Sequence, residues 1–288
     1  MMKFGLSTYS LQQAIKSGKM DILGVVKWIA DAGADHAEIV PLGLKLVNDL
    51  DLVDQIRELA ESLHLELSNY AIGANFLCDD PHEFEQEIER VMREVDVARR
   101  LGICLMRHDV AWLPVEKTSI DQFQTHLAKM TDACARIADY ARPYGITTSI
   151  ENHGYFVQAS DRVQQLIHAV NRPNFKTTVD VGNFMCVDED PVVAVKKNIP
   201  YASMVHIKDF YKRPKDKNPG AGWFTTTYGN YLRGSIIGQG DIDLWTILKT
   251  IKNSSYDGFL SIEFEGMEEC TVGAKISLDN ARRIYDEV

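Results

Sequence analysis

The sequence predicts an α/β fold, a single closed (β/α)8 barrel of the TIM type spanning residues 1–288. Three observations predict it. Brief apolar strands alternate with amphipathic helical stretches along the whole chain, the pattern of βαβ units and a parallel sheet. Eight strand candidates can be counted, and 288 residues suit one α/β barrel without a second domain. The first strand is followed by STYSLQQAIKSG, with no GxGxxG and no Walker lysine. A doubly wound open sheet, the competing architecture, usually carries a glycine-rich phosphate loop there.

The strands are expected at Lys3–Thr8, His36–Val40, Leu65–Ala71, Ile103–Arg107, Thr147–Glu151, Phe175–Asp180, Ala202–Lys208 and Gly258–Glu263. One joint recurs between them: a helix ends, a short turn follows, and an apolar strand runs to a polar residue. WIADAGADHAEIV has Gly33 and then Glu38; ARRLGICLMRHD has Gly102 and then Arg107; ARPYGITTSIEN has Gly145 and then Glu151. Glycine suits the left-handed backbone just past a helix C-terminus. Helices are expected over Leu50–Leu63, Pro81–Leu101 and Ile120–Tyr140. In the second of these Phe84, Ile88, Val91, Val95 and Ala98 recur at helical spacing, and in the third Phe123, Leu127, Met130, Cys134 and Ile137. After the seventh strand, a stretch at about 209–241 shows no clear helix and reads as a long loop. Loops of that length in a compact domain are often lids or other functional segments. Its aromatics Trp223, Phe224, Tyr228 and Tyr231 give it surface to bury, against substrate or against another subunit.

Composition narrows the function. Lys+Arg 31 against Asp+Glu 41 gives a net charge of -10, where a nucleic-acid binder or a protein held to an anionic membrane would show a basic surplus. The five cysteines are far apart and form no CxxC pair, as expected of reduced thiols in a reducing compartment. The N-terminus lacks the apolar core of a signal peptide, and no apolar run is long enough to span a bilayer, so a cytoplasmic location is expected.

The informative residues lie at the strand ends. In a barrel of this type the active site is built from the C-terminal ends of the strands. The fifth to eighth strands end in TSIENH, TTVDVGN, MVHIKD and LSIEFEG, which place Glu151, Asp180, His206 and Glu263 on neighbouring strands. Each alone reads as a solvated or ion-paired strand end. Together, three carboxylates and an imidazole make an oxygen and nitrogen donor set suited to a divalent cation, probed first as Mn²⁺ with Mg²⁺, Co²⁺ and Zn²⁺ as alternatives. Without a cation, carboxylates forced together would repel and take up protons.

The spellings IENHG, VDVGN, HIKD and SIEFEG, with GQGDID at Gly238–Asp243, resemble the sugar phosphate isomerase/epimerase superfamily and its xylose-isomerase-like TIM barrel. The resemblance runs over nearly the whole chain. It implies a Mn²⁺-type cation on Glu151, Asp180, His206 and Glu263, with the two glutamates flanking the substrate, and a tendency to form homo-oligomers. The substrate is expected to be a small sugar or polyol-derived ketone without phosphate. The expected reaction is isomerisation or epimerisation, by proton transfer through a metal-stabilised enediolate, with Glu151 and Glu263 exchanging the proton. The alternative on the same scaffold is an inosose-type or 3-keto-sugar dehydratase, which shares the first step and then expels a β-hydroxyl.

Further residues are assigned with these. Lys208, two after His206 on the same strand face, is expected to polarise a substrate oxygen or act as an acid; its structural alternative is a salt bridge to Asp209 or a nearby acid. His153, Asn183, Arg107, His108 and Arg233 are candidate substrate contacts. Ketose 3-epimerases of the superfamily typically carry a histidine three after the metal aspartate and an arginine six after the metal histidine, where this chain has Asn183 and Lys212. That departure and the HxKD spelling point towards members acting on inososes, keto-sugars or related polyols. A phosphodiesterase on the same barrel would need a multi-zinc cluster with several more histidines, whereas only His153, His206 and His108 fall near strand ends.

Overall fold

The computed structural model describes residues 2–288. The chain starts with β1 (Lys3–Ser7), α1 (Gln12–Lys16), α2 (Ile22–Asp31), β2 (His36–Ile39), α3 (Leu50–Ser62) and β3 (Glu66–Ile72). It continues through α4 (Pro81–Arg100), β4 (Leu105–His108), α5 (Ile120–Ala141), β5 (Thr147–Glu151), α6 (Ser160–Val170), β6 (Phe175–Asp180), α7 (Pro191–Asn198) and β7 (Ala202–Ile207). Three further strands follow, β8 (Asp209–Arg213), β9 (Phe224–Thr225) and β10 (Tyr231–Ser235), and then α8 (Leu244–Lys252), β11 (Phe259–Ile262) and α9 (Cys270–Glu287).

Eight parallel strands close into a barrel in the order β1-β11-β7-β6-β5-β4-β3-β2. The predicted strands are all present. Their ends differ most at β4, which starts and ends later than its apolar run suggested. Helix starts follow ordinary capping chemistry. The side chains of Asp21, Asp49, Asp80, Ser119, Asp190 and Asp243 accept backbone N–H groups of the first turn of α2, α3, α4, α5, α7 and α8. The apolar stripes named above for α4 and α5 are buried or packed against the core, with Phe123, Met130, Cys134 and Ile137 fully enclosed. Cys134, Cys186 and Cys270 are buried and Cys104 is exposed, and all five thiols are free. Among the described residues, no helix is long and apolar enough to cross a membrane.

The strand register sets the levels of the barrel interior. Ser7 pairs with Glu38, and Glu38 with Asn69. Asp180 pairs with His206, and His206 with Ser261. One step lower, Ser149 and Thr178 join their hydroxyls at 2.8 Å. The barrel interior is therefore polar towards the C-terminal ends of its strands, the end at which barrels of this type build their sites.

The stretch expected as a long loop after β7 contains a three-stranded antiparallel sheet in the order β8-β10-β9. Its attachment is the Asp209 carboxylate, fully buried, which accepts N–H bonds from Phe210 (2.8 Å), Gly238 (2.9 Å), Gly240 (2.9 Å) and Ile242 (3.4 Å). A Cβ at Gly240 would overlap that carboxylate, which explains the second glycine of GQGDID. Each of these N–H groups, if left unpaired in the interior, costs about 1–3 kcal/mol. Asp209→Ala is therefore expected to lower stability by about 3 kcal/mol or more, read as a fall in the urea midpoint, with Asp209→Asn losing less. Equal stability of the alanine variant and the parent would show that the carboxylate does not anchor the excursion.

Candidate metal centre and active site

Glu151 ends β5, Asp180 ends β6, His206 lies one residue before the end of β7, and Glu263 follows β11 directly. These four strands are adjacent in the barrel, with the two glutamates at either end of the arc. The side chains converge: one ligand atom from each of the four lies within 4.8 Å of all the others, and all four residues are buried. His206 Nδ1 stands 3.5 Å from Glu151 Oε2 and 3.6 Å from Glu263 Oε1.

Two features test whether this set fits a cation. Among the described residues, His206 Nδ1 and Asp180 Oδ2 have no hydrogen-bond partner although both are buried. Lys208 Nζ lies 3.0 Å from Asp180 Oδ2 as an ion pair without hydrogen-bond alignment. Buried polar atoms are normally paired, so orphaned donor atoms aimed at one another mark a place for a ligand. The donor set is oxygen-rich with one imidazole nitrogen. It is a buried acidic and histidine cluster compatible with a divalent metal site.

The surroundings hold each side chain in place. His206 Nε2 donates to Glu38 Oε2 at 2.7 Å, and Glu38 is itself fully buried and receives bonds from Ser7 Oγ (3.3 Å) and Asn69 Nδ2 (3.4 Å). With Nε2 committed to a carboxylate, the imidazole turns Nδ1 to the cluster. Asp180 Oδ1 accepts the backbone N–H groups of Gly182 and Asn183, both at 2.8 Å, and Asn152 bonds the Asp180 backbone on both its N–H and its C=O. Gly182 is small because the Lys208 stem and the Phe210 ring pass against it, each 3.1 Å from where a Cβ would sit. Glu151 takes a bond from Asn183 Nδ2 at 2.9 Å and an ion pair from Arg107 Nη2 at 2.7 Å. Lys208 Nζ also lies 3.0 Å from Glu263 Oε2 and 3.7 Å from Glu265 Oε2.

The charges follow from this layout. Burial pushes Glu151 up, but Arg107 and His206 outweigh it and hold the carboxyl well below its usual range. Burial likewise opposes ionisation of Glu263, and Lys208 and His206 bring it below its usual value. Asp180 is raised to about 6, chiefly by burial, with Lys208 opposing and Glu151 and Glu263 adding repulsion. Burial disfavours the charged forms of His206 and Lys208. The surrounding carboxylates overturn this, and both are held well above their usual values.

Of the residues expected from the sequence, Glu151, Asp180, His206, Glu263, Lys208, Asn183 and Arg107 meet here. Lys208 pairs with Asp180 and Glu263, and Asp209 is occupied by backbone N–H groups instead. His153 stands at the rim, half exposed, with Nδ1 3.1 Å from Asp109 Oδ1. Asp109 also pairs with Arg107 at 3.0 Å. The placement of His108 needs correction. It alternates with Arg107 along β4, so it faces away from the cluster, buried beside Phe76 and Phe175, and burial lowers it to about 4. Arg233 lies on β10, outside the cluster, stacked on Tyr211 and Trp223. Sequence reasoning missed Glu38, Asn152, Asp109 and Glu265. Glu38 had a signal, since its strand shows the same helix–turn–strand joint that ends in Glu151.

The sequence matches the xylose isomerase-like TIM barrel model over residues 26–286. The chain belongs to the xylose isomerase-like TIM barrel family. It is similar to the inosose dehydratase of Clostridium perfringens, 22% identical over 143 residues, a match covering 47% of this chain and less than half (46%) of that relative. The barrel superposes on the probable 3-DHS dehydratase AsbF of Bacillus anthracis with TM-score 0.75 and 15% identity, over 97% of this chain and 98% of the other. It superposes equally on a D-psicose 3-epimerase solved in the presence of D-fructose, with TM-score 0.75 and 15% identity over 99% of both chains. At such identities the likeness to these structures is one of fold.

For this member of the xylose isomerase-like family, Mn²⁺ at a hundredfold its Kd is expected to stabilise the fold by about 2.7 kcal/mol. That corresponds to a rise in Tm on the order of 5 °C, reversed by a chelator. Replacing both orphaned donors (Asp180→Ala with His206→Ala) should abolish the rise, and Glu38→Gln should weaken metal affinity roughly 10- to 100-fold in calorimetric titration. A rise that survives in the double variant would place the cation elsewhere.

Proposed function

We propose that the protein is a divalent-metal-dependent carbohydrate isomerase or epimerase acting on a small keto-sugar or polyol-derived ketone. One observation carries this reading. Glu151 and Glu263 stand at the two ends of a four-strand arc and approach the same imidazole nitrogen at 3.5 and 3.6 Å. Two carboxylates placed on either side of one centre suit removal of a proton from one face of a carbon and its return from the other.

Glu151, Asp180, His206 and Glu263 would hold the cation, with Mn²⁺ favoured by the mixed oxygen and nitrogen donors. When bound, it would supply Lewis acidity, polarising a substrate carbonyl and making the adjacent C–H acidic. The two glutamates are not equivalent. Glu151 is tied to a guanidinium, which stays charged at any working pH, so it is the weaker base. Glu263 is tied to the Lys208 ammonium and is held below its usual value less strongly than Glu151 is. We therefore assign Glu263 as the group that removes the proton and, in an isomerisation, returns it to the neighbouring carbon. Epimerisation requires Glu151, ionised against Arg107, to take up a proton from solvent before it returns one to the other face. Asn183, held by Gln158 through its backbone carbonyl, orients Glu151 and reaches towards Lys208 at 3.4 Å. Arg107 and His153, joined through Asp109, are assigned to substrate hydroxyls at the rim.

The position of Lys208 favours dehydration as the second reading. Its ammonium is buried and lies 3.0 Å from both Asp180 and Glu263, where it could protonate a departing hydroxyl after the same proton abstraction. Two of the similar proteins above carry dehydratase names, which supports keeping this reading.

The deciding experiment incubates the Mn²⁺-loaded protein in heavy water with ketoses, inososes and 3-keto-glycosides, strips the metal, and records proton NMR. The expected result is loss of a signal beside a carbonyl and appearance of a deuterated epimer or isomer. Glu263→Gln should slow this by roughly 10²- to 10⁴-fold. A dehydrated product would transfer the assignment to the lyase. Absence of exchange with every compound would count against proton-transfer chemistry at this site.

A further inference from the structure

A cavity of about 310 Å³ adjoins the metal cluster, walled by the loop after β1, by the excursion and by the loop after β11. Glu265 lines the cavity and reaches Lys208 at 3.7 Å, and Lys208 in turn lies 3.0 Å from Glu263. None of the four cluster residues lines the cavity itself; the Glu265–Lys208–Glu263 chain links the two, and a substrate reaching from one to the other would pass along it.

The polar inventory of the cavity is unbalanced. Arg233 lines it, with the guanidinium 4.8 Å from the Tyr211 ring and 5.3 Å from the Trp223 ring. Among the described residues, no carboxylate lies within ion-pair reach of Arg233. Its Nε is buried without a hydrogen-bond partner, and its side-chain hydrogen bond is a weak one, from Nη1 to Met267 Sδ at 4.0 Å. Glu265, which also lines the cavity, lies 3.7 Å from Lys208, an ammonium it shares with Asp180 and Glu263. Among the described residues, Arg233 is thus the one cation lining the cavity, and it has no acid within ion-pair reach. Two aromatic rings lie within 5.3 Å of the guanidinium carbon, which restricts the side chain and lessens the freedom lost when it binds.

We propose that this cavity is a carboxylate subsite and that the substrate is a keto-sugar acid, its carboxylate gripped by Arg233. The inference rests on the carbohydrate reading of the adjoining cluster. A planar carboxylate matches the two parallel N–H groups of a guanidinium and carries the single charge that Arg233 balances. A phosphate dianion fits less well, because Glu265 stands in the same cavity and Lys208, the nearest second cation, is engaged by Asp180, Glu263 and Glu265.

The test uses three ketoses that differ only at carbon six: D-fructose, D-fructuronate and D-fructose 6-phosphate. Binding to the Mn²⁺-loaded protein is measured by calorimetric titration and proton exchange by NMR in heavy water. D-fructuronate is expected to bind tighter than D-fructose by on the order of tenfold to a hundredfold, the range of a charge-assisted pair. Arg233→Gln should collapse that ratio towards one, and Arg233→Lys, which keeps charge but not the fork, should retain part of it. Equal binding of the acid and the neutral sugar overturns the proposal, as does a preference for the phosphate or a ratio unchanged in Arg233→Gln. Arg233-dependent preference for D-fructuronate without exchange upholds the subsite and counts against proton transfer. Exchange without that preference does the reverse.

Discussion

The site depends on a balance of buried charge. Glu151, Asp180 and Glu263 place three carboxylates within a few ångströms of one another, out of reach of bulk water. Burial of isolated carboxylates is expensive, and the protein meets that cost with Arg107 on Glu151, Lys208 between Asp180 and Glu263, and the His206 imidazole beside both glutamates. The compensation is incomplete. Asp180 is still pushed up to about 6, by burial first and by the two glutamates after it, and its Oδ2 lacks a hydrogen bond. A site that binds a divalent cation must be under-neutralised in this way, since full internal pairing would leave the ion nothing to stabilise.

Barrel geometry turns that charge balance into direction. Parallel strands in register bring residues of distant sequence to the same level, so Asp180 lies beside His206 and Glu38 beside Ser7 and Asn69. His206 is bridged across the barrel, with Nε2 on Glu38 and Nδ1 towards the ligand carboxylates. The carboxylate behind the imidazole fixes the ring's orientation and raises its basicity, and a metal ligand gains from both. The layer of Ser149 and Thr178 beneath keeps hydrogen-bonding groups satisfied below the site.

The barrel and the four convergent side chains were legible in the sequence because both are carried by local patterns: apolar runs of strand length, and a polar residue at the end of each. What was not legible is non-local or depends on strand parity. Glu38 looks like another strand-end acid in AEIV, and only barrel closure reveals that it meets His206, 168 positions away. Arg107 and His108 are adjacent, and which of them faces the interior depends on the position of β4, which is displaced from its apolar run. The three-stranded sheet after β7 escaped notice because DFYKR and YLRGS are short, carry charges, and pair across an intervening stretch of polar and glycine residues. Partners for Lys208 could be guessed only as nearby acids. Asp209, the neighbour in sequence, points its carboxylate elsewhere.

The segment HIKD compresses these roles into four residues. His206 and Lys208 share one strand face and serve the cluster, whereas Asp209 anchors the excursion through Gly238 and Gly240. The excursion brings Arg233 to the cavity beside Glu265. The groups proposed for proton transfer therefore belong to barrel strands whose register is fixed, while the cavity wall belongs to a separate small sheet joined to them at one carboxylate. On such an arrangement the excursion and its cavity wall can vary without disturbing the strand ends. Structures named as an epimerase and as a dehydratase share this barrel, so fold alone does not assign the reaction.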